Sequence, residues 1–269
     1  MTASGLTFML GSHQPGWLRR VGVPLFVSDR RLRRYRQLPK AVAPWALDSG
    51  GFTELATYGT WANGPTPAAY ARRVRRYRDE IGNLLWAAPQ DWMCEPFITA
   101  KTGLSVVEHQ ARTIGNLIEL RAAAPDLPWV PVVQGFTVDE YLTCVDRYHR
   151  AGIDLSTEPL VGLGSVCRRQ ATNEAAHIVD QLRTAGVRRL HGFGVKVTGL
   201  LRYGHHLTSA DSLAWSFHAR RKPPLPGCEQ HHRNCANCPR YALAWRHNLT
   251  TRLAHHTPQP TLWETGDTA

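Results

Sequence analysis

"WALDSGGFTEL", residues 45–55, is an apolar run that ends on an acid, turns through two glycines and enters a stretch with helical spacing. A strand that runs straight into a helix predicts a crossover: the helix packs back over the sheet and the next strand lies parallel to the first. Outward from this stretch the same shape recurs, in "TFMLGSH" (7–13), "PLFVSD" (24–29), "LLWAAPQD" (84–91), "WVPVVQG" (129–135), "PLVGLGS" (159–165), "LHGFGVK" (190–196) and "LTSADSLAW" (207–215). Between most of these runs apolar residues recur at helical spacing, over 66–82, 105–124, 137–153 and 172–187. Thr137 with Glu140 three residues on predicts a capping box, and Thr172 or Asn173 can cap the next helix. Eight strand candidates alternating with helices predict an α/β fold, a (β/α)8 TIM barrel; the helices after the first two runs are short or missing. No G-x-G-x-x-G opens an early helix, which counts against a dinucleotide-binding sheet.

After about residue 218 the alternation stops. "HARRKPPLPGCEQHHRNCANCPRY" (218–241) is rich in Pro, His and Cys and leads into a last helical pattern over 240–256. The expected organisation is therefore a catalytic barrel over 1–218, a small C-terminal zinc-binding subdomain with a terminal helix over 219–256, and a flexible tail over 257–269.

The 269 residues carry a formal net charge of +11, and 43% are hydrophobic, enough for one large core. Arginine bursts at 29–36 ("DRRLRRYR") and 71–80 ("ARRVRRYRDE") predict a polyanionic partner, of which nucleic acid is the commonest; solvated helix faces are the plain alternative. Arg72, Arg73, Arg75 and Arg76, on one helix, are candidates for holding phosphates. The first residues lack a basic segment followed by a long apolar one, and no apolar stretch is long enough to span a bilayer, so the expected compartment is the cytoplasm and no membrane partner is expected. Disulfides are not expected there. Cys228, Cys235 and Cys238 then read as ligands of a structural Zn2+, with His247 as first choice for the fourth and His231, His232 and His255 as rivals. Cys94, Cys144 and Cys167 read as small buried apolar residues.

If the chain is a barrel, the C-terminal strand ends line one mouth, and in order they offer Asp48, Asp91, Gln134, Gly162 with Gly164, Lys196 and Asp211. Any one such Asp can merely cap a helix or start a turn. Two carboxylates at one mouth can also divide labour, one attacking an anomeric carbon and the other moving protons, and glycines let a flat ligand lie close to the backbone. His13, at the end of the first run, faces the same mouth or is structural; Lys196 meets a phosphate or caps a loop.

The succession "LDSGGF" (47–52), "VVQG" (132–135), "VGLGSV" (161–166), "HGFGVK" (191–196) and "SADSLAW" (209–215), followed by a Cys cluster, resembles the tRNA-guanine transglycosylases, and most closely the DpdA-type proteins, phage and bacterial relatives that insert 7-deazaguanines into DNA. The likeness covers roughly residues 5 to 250 and departs from the tRNA enzymes at "DWMCEP" (91–96) and "ADSLAW" (210–215). It implies an enzyme that exchanges guanine for a 7-deazaguanine, preQ0, in DNA. Asp211 would attack C1′, Asp48 would act as general acid and base, and Asp91, Gln134 and the backbone around Gly162 and Gly164 would bind the base. It also implies a zinc site of three Cys and one His, a phage gene acting in its host's cytoplasm, and a homodimer, for which no interface can be read. Three alternatives stand beside it: the same chemistry on tRNA, a non-catalytic zinc-bearing nucleic-acid-binding barrel, and a carbohydrate-active barrel.

Overall fold

Eight parallel strands form one curled sheet in the computed structural model of the chain, which describes residues 5–256. They are β1 (Thr7–Ser12), β2 (Leu25–Ser28), β3 (Trp45–Asp48), β4 (Leu84–Ala87), β5 (Val132–Val133), β6 (Val161–Leu163), β7 (Leu190–Gly192) and β8 (Ser209–Ser212). Their order is β4-β3-β2-β1-β8-β7-β6-β5, so the first strand pairs with both the second and the last. Met9 stands opposite Asp211 across one edge of β1, and Ser12 opposite Val27 across the other.

The regular ladder stops between β4 and β5, where the sequence led us to expect an unbroken ring. One bridge joins Ala87 and Trp129, the Ala87 N–H donating to Pro128 O at 3.0 Å and the Val130 N–H to Ala87 O at 3.2 Å. Pro128 and Pro131 have no N–H to donate, and β5 is two residues long, so this junction has few backbone bonds to make.

The helices are α1 (Asp29–Leu32), α2 (Gly51–Tyr58), α3 (Pro67–Ile81), α4 (Pro96–Thr102), α5 (Val106–Ala123), α6 (Val138–Arg150), α7 (Asn173–Thr184), α8 (Val197–Tyr203), α9 (Ala214–Ala219) and α10 (Pro239–Ala254). The four helical patterns of the sequence correspond to α3, α5, α6 and α7. Thr137 caps α6 in a reciprocal box with Glu140, and Thr172, rather than Asn173, caps α7. As the short spacings implied, β1 is followed only by a 3-10 turn, Pro15–Arg19, and β2 by the four-residue α1.

Alternation along the strands divides the apolar residues into two layers. Phe8, Leu10, Leu25, Val27, Trp45 and Leu47 face the helices in the main core, whereas Met9, Phe26, Ala46, Trp86 and Phe193 fill the inside of the curl. The same alternation sends Asp48, two residues after Ala46, and Asp211 to the inner side, above that small plug. Helix α10 packs back on β1, with Trp245 5.9 Å from Phe8 between ring centroids and Arg246 Nη2 donating to Phe8 O at 3.2 Å. No helix among the described residues is long and apolar enough to cross a membrane. The expected flexible tail, 257–269, lies outside the described residues.

Trp215 locks the first and last strands together: it stacks on Trp17 at 5.4 Å and its indole N–H donates to Gly11 O at 2.9 Å. Trp215→Ala is expected to lower the unfolding free energy by about 3–5 kcal/mol, measured by urea denaturation, with Trp215→Phe intermediate.

Candidate active site and metal centre

A cavity of about 500 Å³ opens at the C-terminal ends of the strands, and Asp48, Asp91, Gly164 and Asp211 all line it. Asp48 ends β3 and accepts the Gly50 N–H at 2.9 Å, an Asx turn that starts α2. Gly50 has φ +82°, a conformation that penalises any side chain, and a Cβ on Gly51 would fall 2.9 Å from Asp91 Oδ1. The two glycines of "DSGGF" thus have separate duties: one makes the turn, the other lets Asp91 approach.

Asp211 is held from below. Its Oδ1 accepts the Gly194 N–H at 2.9 Å and lies 3.4 Å from His191 Nε2. His191 is fully buried, its Nδ1 2.8 Å from Ser209 Oγ, and its ring meets Trp86 and Phe193 edge-on at 4.6 and 4.8 Å. With Phe26, these rings make an aromatic floor. Burial pushes the Asp48 carboxyl up, against hydrogen bonds from Gly50 and Ser28, and the nearby Asp211 charge pushes it the same way. Asp48 is thereby biased to keep a proton beside a second carboxylate.

Asp91 belongs to a buried chain of polar groups. Gln134 Nε2 donates to Asp91 Oδ2 at 2.6 Å, while Gln134 Oε1 accepts from Ser165 Oγ at 2.7 Å. Ser165 Oγ also accepts the Cys94 N–H at 2.8 Å and lies 3.0 Å from Glu95 Oε2. One hydroxyl has one proton; with that proton on Gln134, the contact to Glu95 is satisfied when Glu95 is the donor. Burial raises Glu95, offset in part by Arg168 and Arg169, which fits a protonated acid. Burial and then the Asp48 charge push Asp91 up to about 7. Ser165 holds φ +56°, unusual for a residue with a side chain, so backbone strain sits at the cavity wall.

Some expected residues stand elsewhere. Gly162 lies within β6, its N–H committed to Pro131 O at 2.8 Å, and a Cβ there would meet the Phe193 ring at 2.5 Å; it admits Phe193 and does not line the cavity. Gln134 is fully buried and touches the cavity through Asp91. Lys196 is exposed at the start of α8 and is not in the cavity wall. His13 does line the cavity, its pKa lowered by burial and by the Arg31 and Arg220 charges.

The arginines of α3 are largely neutralised: Arg73 pairs with Asp29 at 3.3 Å, Arg75 with Asp126 at 2.7 Å and Arg76 with Glu80 at 2.8 Å. The earlier burst reaches the cavity instead, through Arg30, which pairs with Glu54, and through Arg31 and Arg34. Sequence reasoning also passed over Glu95, Ser165 and His191 as site residues, although each lies within or beside a quoted motif; the available signals were polar residues after a strand end for Glu95 and Ser165 and a histidine inside an apolar strand for His191.

At the C-terminal side Cys228, His232, Cys235 and Cys238 bring their ligand atoms within 4.8 Å of one another. His232 replaces the expected His247. The reason is helical rise: Cys238 caps α10, and His247, two and a half turns on, is about 13 Å along the axis. His232 reaches Cys235 Sγ at 3.3 Å, and the Leu225 N–H donates to the same sulfur at 3.3 Å. Three unpaired thiols and an imidazole in a closed tetrad, with an N–H and the Arg240 guanidinium turned towards sulfur, fit a tetrahedral metal ion such as zinc. Of the other cysteines, Cys94 and Cys144 are buried as expected, whereas Cys167 is partly exposed on the cavity wall.

Against known families, the chain matches the DpdA model, described as DeoxyPurine in DNA protein A, over residues 5–266. No curated protein matches it.

Two outcomes are expected from this geometry. His232→Ala should lose bound zinc, read by elemental analysis of the purified protein, while His247→Ala keeps about one ion per chain. Asp91 holds a proton when folded up to about pH 7 but sheds it near 3.8 when unfolded, so the folded state loses stability as pH rises through that window. Asp91→Asn removes this loss: its Tm relative to wild type should rise from pH 4 to 7 and then level off, each unit of pKa displacement corresponding to about 1.4 kcal/mol.

Proposed function

Because the chain belongs to the DpdA family, we propose that it is a transglycosylase that replaces guanine in DNA by a 7-deazaguanine, the 7-cyano base preQ0, on a (β/α)8-type scaffold. The observation that carries this reading is the meeting in one cavity of Asp211, tethered through a single oxygen, with the proton-retaining Asp48 and the buried acceptor Asp91.

In this mechanism the Asp211 carboxylate attacks C1′ of the target deoxyguanosine and the C1′–N9 bond breaks. Asp48 gives its proton to the departing guanine, so the base leaves neutral and the sugar stays esterified to Asp211. The incoming 7-deazaguanine then returns a proton to Asp48 from its own N9, its N9 bonds to C1′, and Asp211 departs as the carboxylate. Charge and protons balance, and no further co-reactant enters. Asp91 accepts from N1–H and the exocyclic amine of the base, and Gln134, with both ends of its amide engaged, keeps Asp91 aimed. The flat ring lies over the aromatic floor beside Asp91, which packs closely on Gly51 as Gln134 does on Gly164. Cys228, His232, Cys235 and Cys238 would hold a zinc ion in a structural role, since four protein ligands would leave it no open position for substrate.

The test incubates the protein with labelled preQ0 and either duplex DNA or bulk tRNA, then reads label in each polymer. Label in DNA is expected; label in tRNA alone would move the activity to the tRNA enzymes, and DNA binding without label in either would favour a non-catalytic barrel. Asp211→Asn should reduce incorporation by at least about a thousandfold while changing DNA affinity less than about threefold.

A further inference from the structure

Phe217 is the most exposed large apolar side chain among the described residues, at 60%, although solvent offers it nothing. It stands on α9, the helix that follows the strand carrying Asp211. Leu213, the residue that caps the start of α9 four positions before Phe217, is 36% exposed and lines the cavity. The two make a short apolar ridge that leads out of the mouth. By contrast Val42, nearly as exposed at 59%, precedes β3 and lies towards the opposite end of the sheet.

Positive charges stand beside this ridge, outside the carboxylates of the cavity. The Arg221 guanidinium lies 3.6 Å from the Phe217 ring centroid. Arg31 and Arg34 line the cavity, and the charges of Arg31 and Arg220 both bear on His13 in its wall. Among the described residues none of these four arginines forms an ion pair, unlike Arg73, Arg75, Arg76 and Arg78 of α3. An apolar side chain set in unpaired arginines suits a partner that is anionic outside and stacked and apolar within, which is a nucleic-acid duplex. The cavity also imposes a need. Its acids lie at the inner side of the curl, so a base inside a duplex cannot reach them without leaving its stack, and the gap left behind costs a few kcal/mol unless it is filled.

We propose that Phe217, backed by Leu213, is a wedge that enters duplex DNA where the target nucleotide has swung out, while Arg31, Arg34, Arg220 and Arg221 hold the flanking phosphates. This rests on the reading of the cavity as a site for a base of DNA. The wedge acts before any chemistry, so it matters for paired DNA and is dispensable for single strands.

Two measurements separate the wedge from the exchange reaction. Permanganate, which oxidises unstacked thymines, is applied to supercoiled plasmid with wild type, Phe217→Ala or Phe217→Tyr. Wild type and Phe217→Tyr should create hyperreactive thymines and Phe217→Ala should not, while filter-binding affinity changes less than about threefold. Incorporation of labelled preQ0 is then compared on native and heat-denatured plasmid: Phe217→Ala should lose about tenfold or more on the native form and less than about twofold on the denatured one. An unchanged permanganate pattern in Phe217→Ala, or equal losses on both DNA forms, would overturn the wedge. Hyperreactive thymines that depend on Phe217, with no label incorporated by wild type, would leave the wedge standing and remove the exchange reading; label in duplex without any hyperreactive thymine would do the reverse.

Discussion

The pairing of β1 with both β2 and β8 is the constraint on which the rest of the molecule depends. It brings residues about two hundred positions apart into one ladder, with Met9 opposite Asp211, and so sets Asp211 on the same inner surface as Asp48. Because strand side chains alternate, the placement is all or nothing: a slip of one residue would turn Asp211 into the apolar shell and Ala210 into the cavity. Trp215 and Trp17 guard that register from outside the sheet, where both rings are buried in the main core.

The site shows how one backbone geometry supports opposed electrostatic demands. Three carboxylates, Asp48, Asp91 and Glu95, are kept in a region that disfavours their charge. Each finds a different compensation: a tight turn for Asp48, a glutamine amide for Asp91, and a serine hydroxyl with two more distant arginines for Glu95. The result is a cavity whose acids are all pushed towards the protonated form by burial, each held by different polar partners.

Much of this was legible in the sequence where the signal was local. Thr137 and Glu140 announce the start of α6, the "DSGGF" glycines announce a turn beside an acid, and short apolar runs ending on Asp or Gln mark strand ends around the cavity. What depended on three-dimensional neighbours was not legible. Nothing in the spacing of Cys228, Cys235 and Cys238 says that the loop folds His232 inward while α10 carries His247 away. Nothing in the arginine bursts says that Asp29, Asp126 and Glu80 neutralise α3 and leave Arg31 and Arg34 at the mouth. Glu95 and Ser165 were passed over because a polar residue next to a recognised one reads as an ordinary turn residue until its partners across the sheet are known, and His191 because it sits inside a strand.

The junction between β4 and β5 has a mechanical meaning as well. A hoop with one unwelded joint yields at that joint before it yields elsewhere, and here Asp91 follows one lip while Gln134 follows the other. The 2.6 Å bond between their side chains is therefore a removable staple across the gap. The two lips are thus tied side chain to side chain where the backbone ladder leaves them almost unjoined.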